Sequence, residues 1–166
     1  MSKEKLNEVI QEQIGECIGL ERAAQQAVEE LESRGLLDSK EIRSKMDEMK
    51  QQAGSHEQKM EQAVQRVVES MDLDMESIEE FAEETVQKAT TMMETYLGEE
   101  PETQDALEFL CLAEGGEVTH YEVLTKLLPK IKDQKFAAAV NSILKQEKRH
   151  LATCTKLAKQ NVTQAG

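Results

Sequence analysis

The sequence predicts an all-α fold: four long amphipathic helices in an antiparallel bundle, with an additional helix in a long crossover between the second and third. Three observations carry this. Glu, Gln, Lys, Ala, Leu and Met dominate the 166 residues, and all are good helix formers. Apolar residues recur at steps of three and four over long stretches, the period of a packed helix face. Strand signals are scarce, since only three Phe, two Tyr and no Trp are present and runs of β-branched residues are lacking. The length suits one domain with a single core, residues 1–166.

The first helix, about 3–34, has Leu6, Ile10, Ile14, Cys17, Ala24, Val28 and Leu31 on one stripe and a glycine stop at Gly35. Asp38 and Glu41 read as a capping box for the second helix, about 39–71, which carries Ile42, Met46, Met49, Ala53, Met60, Ala63, Val67 and Met71. An acidic crossover helix, about 74–97, opens at Asp72 or Asp74 and closes at Gly98. With ten acids and one Lys over residues 72–100, it is expected to be a solvated outer helix outside the core. Pro101 suits the first turn of the third bundle helix, about 102–128, and Pro129 ends it. The fourth, about 134–160, carries Phe136, Val140, Ile143, Leu144, Leu151, Cys154 and Leu157.

A net charge of −13 argues against a nucleic-acid or anionic-membrane partner, because either needs a cationic footprint. No apolar stretch reaches the length of a membrane span, and the first residues lack an apolar signal core, so a cytoplasmic protein is expected. Cys17, Cys111 and Cys154 form no CxxC, which excludes a zinc knuckle and a rubredoxin-type iron site.

The apolar stripes are interrupted by ionisable residues in register. Glu21 falls between Cys17 and Ala24, and His56 between Ala53 and Met60. The third and fourth bundle helices each carry Glu-x-x-His, as Glu117 with His120 and Glu147 with His150. At i,i+3 the two side chains leave one face a turn apart and can reach a shared ion. Folding the first hairpin about residues 37–39 sets Glu21 opposite His56; folding the second about Asp133 sets Glu117 opposite His150 and His120 opposite Glu147. If the second and third bundle helices run parallel, the link must climb about 45 Å of helix. The 30 residues from 72 to 101 fit that climb, and the two mid-levels then meet in one layer. Unpaired buried charges are very costly, and a divalent cation offsets the cost by binding carboxylate oxygen and imidazole nitrogen. The candidate metal ligands are therefore Glu21, His56, Glu117, His120, Glu147 and His150. The competing reading is a buried polar network without metal.

Neighbouring residues carry two readings each. Glu114 is an alternative ligand or a partly solvated edge residue, and Glu57 reads as surface. Tyr121 orients a ligand or simply packs. Cys111 and Cys154 are either a thiol pair able to reduce the centre or inert buried thiols. Gly15, Gly19, Gly54, Gly115 and Gly116 mark a bulge beside the site or close helix packing, with Gly115-Gly116 the better candidates for the bulge.

The run from Ala113-Glu-Gly-Gly-Glu117-Val-Thr-His120 to Leu128-Pro129, followed by Ile143-Leu-Lys-Gln-Glu147-Lys-Arg-His150, resembles the second half of a rubrerythrin, in the ferritin-like di-iron superfamily. That resemblance implies one Glu from the first bundle helix, Glu-x-x-His from the second, one or two Glu from the third and Glu-x-x-His from the fourth. Glu21, His56, Glu117, Glu147 and His150 match; Ala53 stands where the second helix would give Glu, and His120 where the third would give its second Glu. It implies iron, with a di-iron centre expected and Mn or Zn as alternatives, serving Fe(II) oxidation or peroxide reduction in iron handling or oxidative stress defence. It also implies a homodimer or larger homo-oligomer and, without a rubredoxin domain, an external electron donor. The rival functions are a metal-free interaction bundle and a metal storage or sensing protein without turnover.

Overall fold

The computed structural model describes residues 1–164, and those residues form six helices and no strand. Their order is α1 (Lys3–Ser33), α2 (Lys40–Met71), α3 (Met75–Leu97), α4 (Thr103–Thr125), α5 (Leu128–Ile131) and α6 (Gln134–Gln164). Among the described residues no helix is long and apolar enough to cross a membrane.

Local chemistry sets the ends. Ser2 and Ser39 cap α1 and α2 by accepting hydrogen bonds from the amides of Lys5 and Ile42 at 3.2 and 3.1 Å. The cap of α2 is thus Ser39, one residue after the predicted Asp38. Asp74, the second of the two expected starts, caps α3 through the Glu76 amide at 3.1 Å. Pro101 lies just ahead of α4 and not in its first turn, which is instead tied by the Glu102 amide donating to Asp105 Oδ2 at 2.8 Å. Pro129 acts earlier than predicted: it offers no N–H to the Thr125 carbonyl and its ring crowds that group, so α4 stops at Thr125. Pro129 then sits in the first turn of the short α5.

The four long helices α1, α2, α4 and α6 close into a ring of neighbours: α1 beside α2 and α4, and α6 beside α2 and α4. Both hairpins are antiparallel, as the Lys50–Glu29 and Lys148–Glu122 pairs show. The helix α3 lies outside this ring, parallel to α1 and touching α4. It therefore runs the length of the molecule and brings α4 in parallel to α2.

The crossover helix is an outer helix, but it is not outside the core. Glu79, Glu80, Glu83 and Glu84 face solvent, while Ile78, Ala82, Met93 and Leu97 are buried. Gly15 and Gly19 make this possible: a Cβ on either would stand 2.5 Å from the backbone oxygen of Ile78 or Ala82. The close-packing reading of these two glycines holds, and α1 meets α3 nearly backbone to backbone.

The interior divides into two apolar blocks. One contains Ile10, Ile14, Met60, Val64, Tyr121, Leu124, Phe136 and Val140. The other contains Val28, Leu31, Met46, Met49, Leu107, Leu110, Cys154 and Leu157. Between them, on all four long helices, lies a layer of buried ionisable side chains.

Candidate metal centre

Six ionisable residues fill that layer: Glu21 from α1, His56 from α2, Glu114 and Glu117 from α4, and Glu147 and His150 from α6, none more than 5% exposed. Each interrupts an apolar stripe, so burial of the stripe carries it inward. The hydrophobic gain from the blocks above and below offsets the desolvation of the layer.

Five of the groups converge in two overlapping sets, Glu21–His56–Glu147 and Glu114–Glu147–His150, each with one ligand atom per residue within 4.8 Å of the others; Glu117, buried in the same layer, belongs to neither. Glu147 belongs to both. Its Oε1 is 2.6 Å from His56 Nδ1, and its Oε2 is 3.2 Å from His150 Nδ1. Glu21 Oε1 lies 3.2 Å from His56 Nδ1, and Glu114 Oε2 lies 3.6 Å from His150 Nδ1. The two imidazoles stack with centroids 5.8 Å apart.

The outer nitrogens are held by amides. His56 Nε2–H donates to Gln146 Oε1 at 2.6 Å, and His150 Nε2–H donates to Gln52 Oε1. A carbonyl acceptor on Nε2 fixes the proton there and turns the Nδ1 lone pair toward the centre, the arrangement in which imidazole binds a metal. Tyr121 Oη donates to Glu21 Oε1 at 2.8 Å, so the tyrosine orients a member of the layer.

Protein donors leave much of the layer unsatisfied. Glu21 Oε2 and both oxygens of Glu117 are buried without a hydrogen-bond donor, and Glu114 Oε2 and Glu147 Oε1 meet only the Nδ1 of an imidazole, outside hydrogen-bond geometry. Burial, and then the neighbouring Glu147, push Glu21 up to about 8. Burial raises Glu114 to about 7 and holds Glu117 well above the carboxylate range, where Glu114 adds repulsion. Burial alone would raise Glu147 too, but the imidazoles of His150 and His56 outweigh it and hold this carboxyl at about 2. The same pairing, against burial, lifts His56 to about 10 and His150 to about 9. The layer thus draws in positive charge wherever it can. Four carboxylates and two neutral imidazoles would exactly balance the charge of two divalent cations, and a set of oxygen and nitrogen donors suits Fe, Mn or Zn.

His120 is not brought into the layer. Its side chain is 36% exposed, its Nδ1 donates to the Gly116 carbonyl at 2.7 Å, and its Nε2 is 3.6 Å from Glu16 on α1. On a helix turning 100° per residue, His120 is displaced by about 60° from Glu117 on one side, whereas Glu114 and Tyr121 lie on the other. The buried stripe of α4 (Leu107, Leu110, Glu114, Tyr121) follows that second side. Glu114, expected to be partly solvated, takes the inward place. The signal was present in the stripe: Glu114 shares its phase with Leu110 and Tyr121. Gln52 and Gln146 had no signal in the sequence, since their role depends on the packing of α2 against α6.

Two further expectations change. The α4 helix runs unbroken through Gly115 and Gly116, so there is no bulge. Glu57 is only 22% exposed; it binds Arg22 at 2.7 Å and, like Glu79 on α3, ties its helix to α1. An apolar cavity of about 430 Å³ between α1, α3 and α4 is lined by Leu20, Ala24, Met93, Phe109 and Gly116, with Glu117 and His120 at one end. One member of the layer, Glu117, therefore borders this cavity.

Neither a protein-family model, a curated protein nor a solved structure matches the chain.

Proposed function

We propose that this chain is a ferritin-like metal protein whose layer holds two first-row metal ions, iron foremost with Mn or Zn as alternatives, and that it oxidises Fe(II) or reduces peroxide. The observation that carries this reading is Glu147. Its two oxygens serve two overlapping sets of ligands, each completed by one imidazole, beside the oxygens of Glu117 and Glu21 Oε2, which no protein donor satisfies. A purely structural polar network would satisfy those atoms with protein donors. The path of the chain supports the same reading, with two antiparallel hairpins joined by a lengthwise crossover.

Glu21, His56 and Glu147 would hold one ion, and Glu114, Glu147 and His150 the other, with Glu117 between α4 and the cavity as a further oxygen ligand. Bound iron would supply one-electron redox chemistry toward dioxygen or peroxide. The protein's own part is to hold the donors in place through Gln52, Gln146 and Tyr121, to exclude bulk water with the two apolar blocks, and to admit a small oxidant along the cavity. Glu114 and Glu21, with pKa values near neutrality, can take up or release protons as ions leave or enter. In Fe(II) oxidation the Fe(II) supplies the electrons; repeated peroxide reduction by resident iron would require an electron donor from outside the bundle, and association into a homodimer or larger homo-oligomer fits the same reading.

Elemental analysis and Fe(II) titration of chelator-treated protein test the proposal. Two ions per chain are expected, with the added Fe(II) oxidised by peroxide or dioxygen faster than free Fe(II) under the same conditions. Binding no tighter than to unfolded chain would overturn it.

A further inference from the structure

Cys111 on α4 and Cys154 on α6 face each other across the interface of the second hairpin. Cys154 has no exposed surface, whereas Cys111 is partly exposed. Cys154 Sγ is 3.9 Å from Met49 Sδ, and Cys111 packs against the apolar block that contains Cys154. Cys111 lies one helical turn from Glu114, and Cys154 one turn from His150. Cys17, the third cysteine, is fully buried on α1 and has no thiol beside it. We propose that Cys111 and Cys154 are a redox-active dithiol that reduces a peroxide and closes to an intramolecular disulfide joining α4 to α6.

The division of labour follows from position. Cys111 is the thiol a peroxide can reach. Hydrogen bonding by Cys154 lowers the Cys111 thiol to about 7, against the opposing effect of burial, and a thiolate is the nucleophilic form. Its sulfur attacks the peroxide: an S–O bond forms, the O–O bond breaks, and the departing hydroxide (or alkoxide) takes a proton, leaving Cys111 as a sulfenic acid. Cys154 is held as a thiol by its hydrogen bond to Cys111 and by burial. Its sulfur then attacks the sulfenic sulfur, forming S–S, breaking S–O and releasing water with the thiol proton. Two thiols lose two electrons, and one peroxide gains them. Burial of Cys154 shields it from solution and leaves Cys111 its only thiol partner.

The dithiol needs no metal, so this proposal stands or falls apart from the metal reading. Chelator-treated full-length protein is exposed to one equivalent of hydrogen peroxide, and thiols are counted alongside the intact and peptide masses. Two of the three thiols should disappear together, at least about 10-fold faster than Cys17, with the peptides carrying Cys111 and Cys154 cross-linked. Cys154→Ser should stop at a Cys111 sulfenic acid that a dimedone probe captures, and Cys111→Ser should abolish the fast phase. Retention of all three thiols in the wild-type protein, or a disulfide found only between chains, would overturn the proposal whatever the variants do.

Discussion

The two Glu-x-x-His motifs have the same spacing and different fates. On α6, Glu147 and His150 are both buried and both enter the layer; on α4, Glu117 enters and His120 looks out toward Glu16. The difference lies in the phase of the surrounding stripe. On α6 the buried residues Val140, Ile143, Glu147, His150 and Cys154 share one narrow face, so three residues onward from the Glu is still inside. On α4 the stripe runs through Leu107, Leu110, Glu114 and Tyr121, so three residues back from the Glu is inside and three onward is not. A metal-ligand spacing is a statement about one pair of residues, whereas burial is decided by the whole helix face. That α4 contributes two carboxylates also offsets Ala53, which leaves α2 with His56 alone.

The sharpest way to break this comparison is to remove its members one at a time. Glu147→Ala should abolish tight metal binding altogether, because both sets use it. His150→Ala should cost one ion of two, and His120→Ala neither, as counted by elemental analysis after desalting. Equal losses at His120 and His150 would undo the distinction drawn from α4.

A second contrast sets the layer against the apolar blocks. Leu124→Ala, in a fully buried site, should cost about 2–5 kcal/mol of stability with or without metal. Glu117→Gln replaces a carboxyl that burial shifts toward its protonated form by its neutral isostere, so the metal-free protein should change by no more than about 1 kcal/mol. The same substitution should remove much of the stabilisation that metal provides. Denaturant titrations of both variants, metal-free and metal-loaded, separate the two.

The smallest effect is on pH, and its sign is fixed. The folded protein keeps protons on Glu21 and Glu114 up to about 8 and about 7, whereas the unfolded chain releases them near 4.5. His56 and His150 likewise stay charged to about 10 and about 9, against 6.5 unfolded. Each contribution is complete below its unfolded pKa and fades as pH rises through the folded one. Glu147, held at about 2, works the other way and loses its contribution only as pH falls below 4.5. Metal-free protein should therefore unfold at progressively lower temperature from about pH 5 to about pH 10. Metal-loaded protein should show the reverse trend over the lower part of that range, because ligands must shed protons to bind.

Much of this was legible in the sequence. Stripes with steps of three and four gave the long helices, and hairpin register set Glu21 opposite His56, a pair that the structure closes to 3.2 Å. Charge misled at α3, because the six acids of that helix say nothing of Ile78 and Ala82 on its other side; the signal lay in Gly15 and Gly19 of the partner helix. Spacing misled at His120, where the phase of the stripe decides. The contacts of Gln52 and Gln146 depend on how α2 meets α6, a long-range fact that no local pattern encodes.

The account turns on two ions sharing Glu147. Anomalous diffraction at the iron edge, from crystals of protein loaded with Fe(II), addresses it directly. Two peaks are expected inside the bundle, one beside His56 and Glu21 and the other beside His150 and Glu114, with the Glu147 carboxylate between them. Peaks confined to the acidic outer face of α3, or no ordered peak in the layer, would contradict it.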